Sequence, residues 1–96
     1  MTYFKLPIDY NSIPYNEKWK VREQYIKEQG GLCFYCGNDL TKLPNKNITD
    51  KLINWDLFPK EFLKHPIHLQ HCHKTGFTEG AVHAYCNAVM WQYENR

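Results

Sequence analysis

Ile67-His68-Leu69-Gln70-His71-Cys72-His73-Lys74-Thr75-Gly76, followed by Phe77-Thr78-Glu79-Gly80-Ala81-Val82-His83-Ala84-Tyr85-Cys86-Asn87, is the stretch whose reading decides the fold of this chain. Ile67 to His71 reads as a short strand, Lys74-Thr75-Gly76 as a turn, and Thr78 to His83 as a second strand, which together predict a hairpin. From Ala84 to Tyr93 the pattern becomes helical: Cys86, Val89, Met90 and Tyr93 recur at i, i+3, i+4 and i+7. Trp91 and Tyr93, two residues apart on that helix, are both expected in the core. A hairpin running into a helix makes the expected fold class α+β.

Upstream, residues 14–29 predict a second helix. Pro14 suits a first turn, Glu17 favours the positive end of the helix dipole, and Gly30-Gly31 stops the run. Its expected apolar face collects Tyr15, Trp19, Tyr25 and Ile26, with Glu17, Lys20, Glu23, Gln24, Lys27 and Glu28 opposite. Arg22 falls inside the apolar face, where its stem can pack while its head reaches water or a phosphate. Residues 1–13 read as an extended arm lying on the domain or on a partner. Residues 38–66, broken by Pro44, Pro59 and Pro66, read as a long connection with one or two short helices around Ile48, Leu52, Ile53, Trp55, Leu57, Phe58 and Phe62.

Ninety-six residues hold one core, so a single domain is expected. Apolar residues at 43% and aromatic residues at 16% argue against wholesale disorder. A net charge of +2 is too small by itself to announce a nucleic-acid binder. Its distribution is more telling, because all five histidines lie between His65 and His83, and after Asp56 the only acids are Glu61, Glu79 and Glu94. No run approaches the roughly 18 apolar residues of a membrane span, and the first residues lack the apolar stretch of a signal peptide. These features predict a soluble, cytoplasmic protein that is neither secreted nor membrane-bound.

Four cysteines without a signal peptide and beside clustered histidines favour metal over disulfides. Cys33-Phe34-Tyr35-Cys36-Gly37 is a C-x2-C knuckle at residues 33–37, and His83-Ala84-Tyr85-Cys86 supplies an H-x2-C pair. Thiolate and imidazole in a closed set of four suit a structural Zn2+. Cys72 and His73 are competing ligands that could replace His83.

Gln70-His71-Cys72-His73-Lys74-Thr75-Gly76, then Gly80, then His83-x2-Cys86-Asn87 resembles the core of the HNH endonucleases, also called ββα-metal or His-Me finger nucleases. The small zinc-stabilised, often phage-encoded members are the most similar. The resemblance covers about residues 14–37 and 67–93. It implies a single zinc-stabilised ββα-metal domain with its core at residues 67–94, and Cys33, Cys36, His83 and Cys86 as ligands of one structural Zn2+. It further implies His71 as general base, and Gln70 and Asn87 as ligands of one catalytic Mg2+ or Mn2+. Arg22, His68, His73 and Lys74 become possible phosphate or supporting contacts. If the chain is phage-encoded, its compartment is the host cytoplasm.

The chemistry suits these residue types. Phosphodiester hydrolysis needs an activated water in line with the leaving oxygen, and countercharge for the phosphorane and the departing alkoxide. A neutral imidazole has its pKa near working pH and can take the water's proton. Gln70 and His71, as strand neighbours, point to opposite faces and so approach a phosphate from different sides.

Three positions depart from the family pattern. Gln70 replaces the usual Asp or His, Cys72 stands where an acid is common, and Glu79 stands where Arg is frequent. The expected site therefore has no carboxylate of its own, and Mg2+ affinity without DNA should be low. The function that the resemblance implies is hydrolysis of duplex DNA by a monomer or homodimer. The alternatives are a catalytically weakened module of the same fold that binds nucleic acid without cleaving it, and a zinc domain that binds protein.

Overall fold

In the computed structural model, residues 4–94 are described. Strands β1 (Ile67–His71) and β2 (Thr78–His83) pair antiparallel, with Ile67 opposite His83 and Gln70 opposite Gly80. The turn closes with the Gly76 N–H on the Cys72 carbonyl at 2.7 Å and the Cys72 N–H on the Phe77 carbonyl at 2.9 Å. After Gln70 the register slips, so that His71 faces Thr78 and Glu79 becomes the extra residue. Such a bulge bends the strand and re-aims a side chain. Here the side chain beside the irregularity is that of His71.

β2 passes directly into helix α3 (Ala84–Glu94), which buries Ala84, Cys86, Ala88, Val89 and Met90. Trp91 and Tyr93, expected in the core, are instead nearly half exposed. The last turn of α3 meets residues 52–58 of the connection. Trp91 lies edge-on to Phe58, the Tyr93 hydroxyl donates to the Leu52 carbonyl, and the Gln92 side chain bonds the Leu52 carbonyl and the Asn54 N–H.

The first helix begins later than its sequence suggests, because Tyr15–Glu17 form a 3-10 turn and α1 runs over Lys18–Glu28. Its inward residues are Val21 and Tyr25, while Tyr15 is 91% and Trp19 53% exposed. Residues two apart on an α-helix stand about 200° apart, so Trp19 and Val21 cannot share a face. Packing selects Val21, and the expected face is corrected accordingly.

The connection carries α2 (Lys46–Thr49), capped by the Asn45 side chain on the Asn47 N–H and burying Ile48, and a 3-10 turn at Trp55–Leu57. Leu52 and Leu57 remain exposed.

Residues 1–3 of the expected arm lie outside the described residues. The remainder lies on the domain. Phe4 is held by both polar groups of the Gln24 side chain, Ile8 bonds Thr78, Asp9 bridges Phe77, and the Tyr10 N–H reaches the Gly76 carbonyl at 2.8 Å.

The core joins Ile13, Val21, Tyr25, Cys33, Leu40, Ile48, Ala81, Val82, Cys86, Val89 and Met90. Helices with one antiparallel hairpin place the molecule in the α+β class. Among the described residues, no helix is long and apolar enough to cross a membrane.

Candidate functional site

A candidate metal centre is built at the junction of β2 and α3. Cys33, Cys36, His83 and Cys86 bring one ligand atom each to within 4.8 Å of one another, and the group could hold a metal ion. Ligands about 2.0 to 2.3 Å from a tetrahedral zinc stand about 3.5 to 3.8 Å apart. The His83 Nδ1 lies 3.4 Å from the Cys36 sulfur and 3.7 Å from the Cys86 sulfur, edges that suit such a tetrahedron. The fourth place is thus filled by His83 and not by Cys72 or His73.

Local structure explains the convergence. The Gly37 N–H returns to the Cys33 carbonyl at 3.0 Å, and the Tyr35 N–H reaches the Cys33 sulfur at 3.4 Å. Gly37 takes a φ of 81°, which closes the turn at no steric cost. The Phe34 N–H then docks the knuckle on the Ala81 carbonyl at 3.0 Å.

His83 is oriented by the Asp39 carbonyl, 2.9 Å from Nε2. A carbonyl only accepts, so Nε2 carries the hydrogen and Nδ1 keeps its lone pair for a metal. The hydrogen bond with the Cys86 thiol, aided by knuckle N–H groups, lowers the Cys33 thiol to about 4. The same Cys33 contact, with burial, pushes Cys86 upward.

The second cluster lies along β1. His68 sits with its Nε2 at 2.9 Å from the Phe62 carbonyl and its Nδ1 at 2.9 Å from the Asn87 amide nitrogen. The carbonyl again assigns the tautomer: Nε2–H donates, Nδ1 accepts, and Asn87 donates through Nδ2. Asn87 Oδ1 is therefore turned away from the imidazole. Burial lowers the pKa of His68 and keeps it in the neutral form that this chain requires. Both ring nitrogens of His68 are thus engaged.

Gln70, two residues further along β1 and 2% exposed, donates through Nε2 to the His71 carbonyl at 3.0 Å and lies 3.5 Å from a Glu79 carboxylate oxygen. The bulge thus sets a carboxylate, that of Glu79, beside Gln70.

His71 stacks on Tyr10, with ring centroids 3.9 Å apart and planes at 11°, and its ring lies 4.8 Å from that of His73. Burial lowers its pKa first, then the neighbouring His73 and Lys18, with Glu79 opposing. Lys74 and His73 are exposed in the turn, and Arg22 is half-buried on α1. Arg22 adds a small downward pull on the His68 pKa.

Sequence reasoning missed Tyr10, Gln29, Asp39 and Phe62. Three of these act through a backbone carbonyl or an arm contact that leaves no residue-type signal. Gln29 is different, since its amide bonds both the Ala81 N–H (2.8 Å) and the Ala81 carbonyl (2.9 Å).

No protein family, curated protein or solved structure matches the chain.

Proposed function

We propose that this chain is a metal-dependent DNA endonuclease of the HNH, or ββα-metal, type, with Cys33, Cys36, His83 and Cys86 holding a structural zinc. The observation that carries the reading is His71. It stands beside a strand bulge with a neutral-favouring environment, its ring plane is held, and among the described residues its ring nitrogens make no hydrogen bond. That is what a general base needs, since its nitrogen must be free to take a proton from water.

The donor chemistry also suits a hard cation. The amide N–H groups of Gln70 and Asn87 are engaged by the His71 carbonyl and His68, which leaves both carbonyl oxygens as the available groups. Glu79 adds a carboxylate next to Gln70. These residues would hold Mg2+ or Mn2+, which when bound supplies positive charge for the phosphate and the departing alkoxide. His71 accepts the water's proton, His68 fixes the Asn87 amide, and the zinc ligand Cys86 fixes the helix turn from which Asn87 projects.

Duplex DNA is the proposed substrate, with Lys18, Lys20, Arg22, Lys27, Lys64 and Lys74 as backbone contacts. So few charges make binding modest and steeply salt-dependent.

The test is nicking of supercoiled plasmid by the zinc-loaded protein in Mg2+, Mn2+ or EDTA, beside His71→Ala and Asn87→Ala. Cation-dependent nicking lost in both variants is expected. Equal rates for wild type and His71→Ala would remove the catalytic claim. DNA binding without cutting would instead identify a weakened module that only binds.

A further inference from the structure

We propose that Tyr10 is a positioning residue for His71, so that the N-terminal arm forms part of the catalytic face; this rests on the endonuclease reading above. An imidazole acting as general base needs its ring fixed while the nitrogen that takes the proton stays open. Two buried or half-buried histidines are fixed through a ring nitrogen: Nε2 of His83 on the Asp39 carbonyl, and Nε2 of His68 on the Phe62 carbonyl. His71 has no such bond among the described residues. Its constraint is the near-parallel Tyr10 ring, 3.9 Å away at 11°.

A stacked neighbour restrains the plane and leaves both nitrogens at the ring edge. That difference in restraint matches a difference in task.

Tyr10 is itself held from three sides. Its N–H bonds the Gly76 carbonyl at 2.8 Å, at the end of the hairpin turn that carries His73 and Lys74. The preceding residue, Asp9, pairs with Phe77 across an isolated bridge, and its carboxylate caps the Tyr10–Ser12 turn through the Asn11 N–H at 3.0 Å. The Lys18 ammonium lies 3.9 Å from the Tyr10 ring centroid, a cation–π contact from the start of α1. The backbone anchors do not depend on the Tyr10 side chain. Replacing that side chain therefore removes the stack and leaves the arm in place.

The experiment compares wild type, Tyr10→Phe, Tyr10→Leu and Tyr10→Ala, all zinc-loaded and full length. Its first readout is the His71 ring proton resonances by NMR without DNA, assigned through His71→Gln. Loss of the facing ring in Tyr10→Leu and Tyr10→Ala should move these resonances downfield, and Tyr10→Phe should keep them near their wild-type positions. The second readout is plasmid nicking in Mg2+. Tyr10→Leu should lower kcat by about 10- to 100-fold with DNA affinity unchanged, and Tyr10→Phe should restore the rate. Unmoved His71 resonances in Tyr10→Leu, or a wild-type kcat in that variant, would overturn the proposal. So would a rate loss that arises wholly from weaker DNA binding. Failure of the endonuclease reading itself has a separate signature, absence of nicking by wild type, and it removes the positioning role while the NMR still reports the stack.

Discussion

At the scale of the residue, His71 and Glu79 form an opposed pair of influences. Burial, His73 and Lys18 draw the His71 pKa down, and Glu79 pulls it up. A general base works in its neutral form, which exists above its pKa, so a lowered pKa extends activity toward acid. The acid limb of the nicking rate is expected below the ordinary imidazole range. Lys18→Met removes a nearby positive charge, and the limb should move to higher pH when kcat/KM is followed from about pH 4.5 to 8.5, about two units either side of a free histidine. Glu79→Gln should raise the Mg2+ concentration needed for half-maximal nicking and shift the same limb to lower pH; an unchanged Mg2+ requirement would remove Glu79 from the cation's surroundings. Residue type and spacing made the four-ligand group Cys33, Cys36, His83 and Cys86 legible, whereas His71 and Asn87 were singled out only by a resemblance. Glu79 was visible only as a departure, because a bulge, and not a residue type, sets it beside Gln70.

At the scale of the element, the hairpin and α3 follow their sequence periods closely, while α1 does not. Its aromatic residues, Tyr15 and Trp19, advertise a face that the packing leaves outside. Val21, smaller and wholly buried, is the residue that counts. Hydrophobic weight pointed one way and the two fixed anchors, knuckle and sheet, pointed the other.

The end of α1 shows what those anchors demand. A Cβ added to Gly80 would stand 2.7 Å from the Gln29 side-chain oxygen and 2.9 Å from Phe34 Cβ. Gly80→Ala is expected to cost about 1–3 kcal/mol in urea unfolding of the zinc-loaded protein. Because Phe34 follows Cys33 directly, the same change should also weaken zinc retention against a chelator. Gln29→Leu should cost a similar amount, about 1–3 kcal/mol, because it leaves the buried Ala81 N–H without its partner. A loss below about 0.5 kcal/mol would mean that neighbouring groups replace the amide.

At the scale of the whole molecule, one four-ligand centre ties residues from both halves of the chain. Cys33 and Cys36 belong to the knuckle after α1, and His83 and Cys86 to the junction of β2 and α3. Binding of a structural zinc contributes on the order of 10 kcal/mol, as much as a small domain's entire stability. Chelation is therefore expected to unfold the protein cooperatively, with loss of near-ultraviolet circular dichroism and recovery on adding Zn2+. A chelated protein that keeps its wild-type spectrum would show that the apolar core suffices. The knuckle and its partner pair were legible because thiolate spacing is chemistry written in sequence. The arm was not, since its place depends on backbone groups of Thr78 and Gly76 that any residue type would present, and on the Thr78 hydroxyl and Gln24 amide, which are far from it in sequence.

The outer side of β2 has a further consequence for association. Ile8 covers Thr78, the Gln29 amide takes both backbone groups of Ala81, and the Phe34 N–H shares the same carbonyl. A two-stranded ribbon normally offers a row of unpaired peptide groups to any passing chain, the usual template for strand addition and aggregation. Here the row along β2 is sealed by the arm, a side chain and a loop, so this edge of the ribbon offers no template for strand addition.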